Sequence, residues 1–184
     1  GDVYKRQVHY QFETAHPFLD GNGRLGRLLI TLMLINDGVL HSCLFYPSFQ
    51  FKKNRSEYYR QLTSVRERGT YEEWIEFFCN SLLESAKDSV GSLKNLVDLH
   101  NRSTATITEN LGRTAANGQR LLGILEEHPI VDTAFIAAQL DIGRSTASSL
   151  VKSFEELGIL RPLDESRQRY RQYGYEEYLS ILRE

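Results

Sequence analysis

At 184 residues the chain can hold one ordinary domain or two small ones. Hydrophobic residues at 41% and charged residues at 25% are the proportions of a soluble globular protein, and a net charge of −2 singles out no class of partner. Its most apolar stretch, Leu28 to Ile35, is far short of the ~20 residues a spanning helix needs, so no membrane partner and a cytoplasmic location are expected.

Cys43 and Cys79 lie in apolar surroundings without metal-ligand spacing, and read as buried free thiols of a reducing compartment. The chain opens without Met on Gly1-Asp-Val-Tyr-Lys-Arg-Gln7, and Asp2 to Gln7 matches one reading frame of a sequencing adapter. Residues 1–7 are therefore set aside as a non-native leader, and the chain is expected to be an N-terminally truncated fragment.

From Val8, the positions Val8, Phe12 and Ala15 recur at helical spacing. Pro17 disfavours the helical region for the residue before it, which predicts that the helix stops at His16. A second helix is predicted from Asn22 or Gly23 to the stop signal Asn36-Asp37-Gly38. Apolar residues run nearly all the way round it, as in a central, buried helix. Phe51 to Leu62 reads as an amphipathic helix, Gly69-Thr70 breaks the pattern, and Trp74, Phe77, Phe78 and Leu82 define the next helix. Ser89 to Arg113 remains helical in pattern but is more polar, and reads as a connecting region.

Beyond Asn117 the texture changes. Gln119 to Glu127 is a short amphipathic helix ended by Pro129, and Asp132-Thr133 caps another through Leu140. Asp141 to Arg144 forms a tight turn, a third helix runs from Ser145 or Thr146 to Leu157, and Gly158 closes it. Ile159 to Tyr173 alternates as a short hairpin would, and Tyr175 to Leu182 is a last helix. No strand-helix alternation appears, so the class is all-α with a minor β wing.

Chemistry concentrates in His16-Pro-Phe-Leu-Asp-Gly-Asn-Gly-Arg-Leu-Gly-Arg27. Imidazole titrates near neutral pH, so His16 can serve as a general base for a hydroxyl nucleophile. Asp20 can hold Mg²⁺, which takes one or two carboxylates together with substrate phosphates. The N–H groups of Gly21, Asn22 and Gly23 point free at a helix start, an anion site. Arg24 and Arg27, three apart, lie on one face of the first turn and suit a polyphosphate. The dinucleotide pattern Gly21-Asn-Gly-Arg-Leu-Gly26 lacks the strand it must follow, and no Gly-Lys-Ser/Thr of a P-loop is present. The parts are those of a phosphoryl- or nucleotidyl-transfer site.

These residues resemble the signature of the Fic family, H-P-F-x-D/E-G-N-G-R-x-x-R, at every position. The lead-in His9-Tyr-Gln-Phe-Glu-Thr-Ala and the later Asn54-Arg-Ser-Glu-Tyr-Tyr extend the likeness over Val8 to Ala86. The resemblance implies a helical core that transfers AMP from ATP to a Ser, Thr or Tyr hydroxyl of a target protein, releasing pyrophosphate. It assigns His16 as catalytic base and Asp20 as the Mg²⁺ ligand. Gly21, Asn22 and Gly23 would cradle the phosphates, Arg24 and Arg27 would clamp the β and γ groups, and Phe18 would be a buried anchor. Relatives that transfer phosphate carry lysine where Gly23 stands, which favours AMP transfer. Asn54, Tyr58 and Tyr59 are candidates for an adenine pocket. His9 fits packing or support of the loop better than a two-histidine metal site. The inhibitory pattern S/T-x-x-x-E-G/N has its nearest match at Glu109-Asn110, but Ala105 stands at the hydroxyl position, so no inhibitory helix is expected there.

Residues 8–112 are thus read as the later part of a Fic-like domain with connecting helices, and residues 113–184 as a winged helix-turn-helix. Its recognition helix would present Arg144, Ser145, Thr146, Ser148, Ser149 and Lys152, with Arg167 and Arg169 on the wing, as candidate DNA contacts. From Gly118 onward the net charge is −3, a poor footprint for DNA. Winged helices also dock proteins and form homodimers. Two other functions compete with AMP transfer: a nucleotide-sensing transcriptional regulator, and an enzyme removing AMP with the same loop.

Overall fold

The computed structural model describes residues 2–41, 45–164 and 171–183, with side chains from Gln7 onward. Cys43 lies outside them, and Cys79 is half-buried rather than buried. The chain divides into two compact units, Gly1–Gly91 and Ser92–Glu184. Among the described residues no helix is long and apolar enough to cross a membrane.

In the first unit, helix α1 (Asp2–Ala15) starts at Asp2 rather than Val8, so the stretch set aside as a leader is helical. Of the positions whose spacing predicts this helix, Val8 and Phe12 are half-buried. His9 and Tyr10 are buried, while Ala15 is exposed. Helix α2 (Asn22–Asn36) packs against α1 and the helix that follows it, and buries Asn22, Gly26, Ile30 and Thr31. Leu25, Leu28 and Leu32 are 41%, 52% and 49% exposed, which corrects the expectation of a buried central helix. Apolar residues all round a helix allow burial on every side, but cover has to come from other elements.

The predicted helix from Phe51 to Leu62 is two helices, α3 (Pro47–Lys53) and α4 (Arg55–Arg68), divided at Asn54. Asn54 leaves helical geometry at φ −102°, ψ 37°; its N–H closes α3 on Gln50 and its carbonyl starts α4 through Tyr58. Gly69, at φ 70°, ends α4 in the left-handed conformation glycine tolerates. Helix α5 (Tyr71–Asn110) then runs unbroken for 40 residues, through the segment read as a connection. Tyr10, Ile30, Phe51, Tyr58, Leu62, Val65, Trp74 and Phe78 form the core of this unit.

The later residues of α5 belong to the second unit and put Leu99 and Ile107 into its core. Around them lie α6 (Ala115–Glu127), α7 (Thr133–Leu140), α8 (Arg144–Glu156) and α9 (Glu176–Arg183). The predicted hairpin is present as β2 (Arg161–Pro162) and β3 (Gln172–Gly174). A strand missed in the sequence, β1 (Ile130–Asp132), completes an antiparallel sheet of order β1-β3-β2, with Tyr173 opposite both Val131 and Pro162.

Candidate active site

The loop of interest joins α1 to α2. The N–H of His16 still donates to the carbonyl of Phe12 at 3.0 Å, but His16 turns out of the helix at φ 46°. A left-handed histidine is uncommon and locally strained; Pro17 accounts for the exit by blocking helical geometry at the residue before it. The side chain of His16 is exposed at the rim of the loop.

Gly21 makes the second corner at φ 81° and caps α2, its carbonyl accepting from Leu25 N–H at 3.0 Å. A Cβ there would meet nothing within 4 Å, so the glycine is needed for its dihedral rather than for space. The N–H groups of Asn22, Gly23 and Arg24 precede that first helical bond and have no intrahelical acceptor. The sequence predicts free N–H groups at Gly21, Asn22 and Gly23, but that of Gly21 is taken by the Asp20 carboxylate. The side chain of Asn22 serves another purpose: it is 2% exposed and bonds the backbone of Phe18 with both of its polar atoms, at 2.5 and 2.9 Å. Phe18 itself is 52% exposed, so the buried anchor of this loop is Asn22 and not Phe18.

Asp20 is exposed, takes the Gly21 N–H at 2.6 Å and lies 3.9 Å from Arg24, which is also exposed. Among the described residues no group of three or more His, Cys, Asp and Glu could hold a metal ion. A lone accessible carboxylate beside an anion site still fits Mg²⁺ bound jointly with phosphates. The Arg27 side chain folds back over the loop: a Cβ on Gly23 would lie 3.2 Å from its Nη1.

His9 is not a metal ligand. Its Nδ1 donates to the carbonyl of Gly26 at 2.9 Å, leaving Nε2 to accept the Tyr58 hydroxyl at 3.0 Å. Burial pushes its pKa down to about 4, against the raising effect of the Gly26 bond, so the ring is neutral. Phe51 and Trp74 stack parallel to it. Sequence reasoning missed the fourth member of this cluster, Glu13. It lies four residues after His9 and three before His16, on one face of α1, a spacing that could have exposed it.

Of the three candidates for an adenine pocket, Tyr58 and Tyr59 meet edge to face, with ring centroids 5.3 Å apart. Tyr58 is 2% exposed, its ring in the core and its hydroxyl on His9. Asn54 is exposed with its amide on the Gln50 carbonyl, and Tyr59 is exposed beneath Arg55. In the second unit, Arg144, Ser145, Thr146, Ser148, Ser149 and Lys152 are all exposed on α8, opposite buried Ala147, Leu150, Val151 and Phe154. Lys152 lies 3.7 Å from Glu156. Arg167 and Arg169 lie outside the described residues.

An exposed histidine at a helix exit, an open helix N-terminus and two arginines in its first turns share this one loop. The Fic/DOC family model matches residues 6–34, which are α1 from Arg6, the loop and most of α2. A probable protein adenylyltransferase of Aquifex aeolicus is 37% identical over 68 residues, covering 36% of this chain and 19% of that protein. Protein adenylyltransferase fic-1 of Caenorhabditis elegans is 31% identical over 91 residues, covering 50% and 16%. Protein adenylyltransferase Fic of Drosophila grimshawi is 34% identical over 77 residues, covering 42% and 14%. The chain thus spans less than a fifth of the length of these relatives.

Proposed function

We propose that the chain carries the catalytic loop of a protein adenylyltransferase, which moves AMP from ATP to a hydroxyl of a target protein. The observation that carries this reading is the joint placement of exposed His16 and the open first turn of α2, under Arg24 and Arg27. His16 takes the proton of the target hydroxyl, and that oxygen attacks the α-phosphorus. The bond from the α-phosphorus to the bridging oxygen breaks, and the electron pair leaves with pyrophosphate. Asn22, Gly23 and Arg24 N–H groups receive phosphate oxygens, while the two guanidinium groups hold the leaving charge. Asp20 would hold Mg²⁺ with the same phosphates, and that ion would neutralise charge on the leaving group.

The test is labelled ATP, Mg²⁺ and a cell lysate. Labelled protein should appear with the wild-type chain and fall by about 10²- to 10⁴-fold with His16→Ala, the cost of losing a general base. Label that persists in His16→Ala would sink the assignment.

We further propose that residues 113–184 form a winged helix. The exposed hydroxyls and cations of α8 support a DNA-docking role for it, and the net charge of −3 from Gly118 onward opposes one. Fluorescence anisotropy with duplex DNA across a salt series decides: binding that weakens steeply with salt supports docking, and none at low salt ends the idea.

A further inference from the structure

Beneath the loop, the buried polar groups of α1 and α2 leave two demands unmet. The carboxyl of Glu13 stands at the α1–α2 crossing, where a Cβ on Gly26 would collide with its Oε1. That oxygen is buried and has no hydrogen-bond partner. One residue on from Gly26, the Nε of Arg27 is also buried without a partner, while the Nη1 of the same side chain reaches out over Gly23. A guanidinium donates from its Nε edge and its terminal fork in different directions, so one edge can be held from behind while the fork faces a ligand. On the far side of Glu13, the Tyr58 hydroxyl gives its proton to neutral His9.

We propose that Glu13 is a positioning residue for Arg27: when phosphates draw the terminal fork out over Asn22 to Arg24, its carboxylate takes the inward Nε, which has no partner in the nucleotide-free structure. The role rests on the reading of this loop as a nucleotide-phosphate site. Burial pushes the Glu13 carboxyl above its ordinary range, and the Arg27 charge draws it part of the way back. His9 and Tyr58 complete the support by fixing Gly26, the turn of α2 from which Arg27 projects.

The experiment compares ATP with AMP, which lacks the β and γ phosphates, by calorimetry on the full chain. Glu13→Gln keeps the size of the side chain and removes its charge. ATP affinity should drop about tenfold, the scale of one charge-assisted hydrogen bond, with AMP affinity and melting temperature unchanged. An unchanged ATP-to-AMP ratio in the variant overturns the role, and so does equal weakening of both nucleotides. A wild-type chain with no preference for ATP over AMP brings down the underlying reading of the loop, and the role falls with it. A direct measurement separates the two cases. With ATP bound, the Arg27 Nε–Hε signal in NMR should exchange slowly in the wild type and rapidly in Glu13→Ala. Rapid exchange in the ATP-bound wild type overturns the role.

Discussion

Asn22 grips the backbone of Phe18 from both ends, its Nδ2 donating to the carbonyl at 2.5 Å and its Oδ1 accepting the N–H at 2.9 Å. This clamp sets the path from the His16 exit to the Gly21 corner, so one side chain fixes both the base and the anion site. Asn22→Ala removes two bonds at a buried position, at about 1–3 kcal/mol. Asn22→Asp keeps the acceptor but sets a carboxylate against the Phe18 carbonyl, and should be no better. Thermal melts and labelling rates of both variants check this; a fully active Asn22→Asp would refute the clamp.

Glycine is required at position 26 by packing. Gly26→Ala would drive a methyl into Glu13 and within 3.1 Å of Phe12 Cδ1, at about 1–3 kcal/mol of overpacking. Gly91, inside α5, has nothing within 4 Å of its added Cβ. Gly91→Ala should therefore stabilise, by about 0.5–1 kcal/mol of helix propensity. Opposite signs in chemical denaturation are the expected outcome, and matching signs would show that the α1–α2 contact yields freely.

His9 makes the first unit sensitive to acid. Its pKa is about 4 in the fold against 6.5 ordinarily, because burial disfavours the charged ring. Between those values the unfolded chain binds a proton that the folded chain does not. The contribution is fully present above pH 6.5 and drains away as the pH falls towards 4; at ~1.4 kcal/mol per pH unit it totals about 3 kcal/mol. His9→Gln can make both hydrogen bonds without titrating. Melting temperature should fall less steeply between pH 6.5 and 4 in that variant than in the wild type. Equal slopes would place the acid sensitivity elsewhere.

The loop was legible in the sequence because its parts are local: Pro17 stops one helix, Gly21 turns, and the first turn of α2 follows within a few residues. Support for the loop was not legible, since His9 finds its partners 17 and 49 residues away, at Gly26 and Tyr58. Tyr58 illustrates the ambiguity: an aromatic on an amphipathic helix suits a pocket or a core, and only the placement of Trp74 and Phe51 beside it makes it core. The cover of α2 was misread for a related reason, because composition reports what a helix could bury rather than what arrives to bury it. Strand β1 escaped notice because three residues carry no period; its pairing with β3 creates it.

Asp132 gives the second unit a test of its own. It ends β1 opposite Gln172, and its Oδ1 accepts the Phe135 N–H at 2.8 Å to cap α7. One residue therefore joins the sheet to the helix. Asp132→Ala leaves the strand pairing in place and removes the cap, at about 0.5–2 kcal/mol. Asparagine caps about as well as aspartate, so Asp132→Asn should stay close to wild type. Chemical denaturation of the three chains measures the difference. Were the Asn and Ala variants equally destabilised, the carboxylate charge rather than the cap would hold α7, and the negative side chain would be acting on the helix dipole instead.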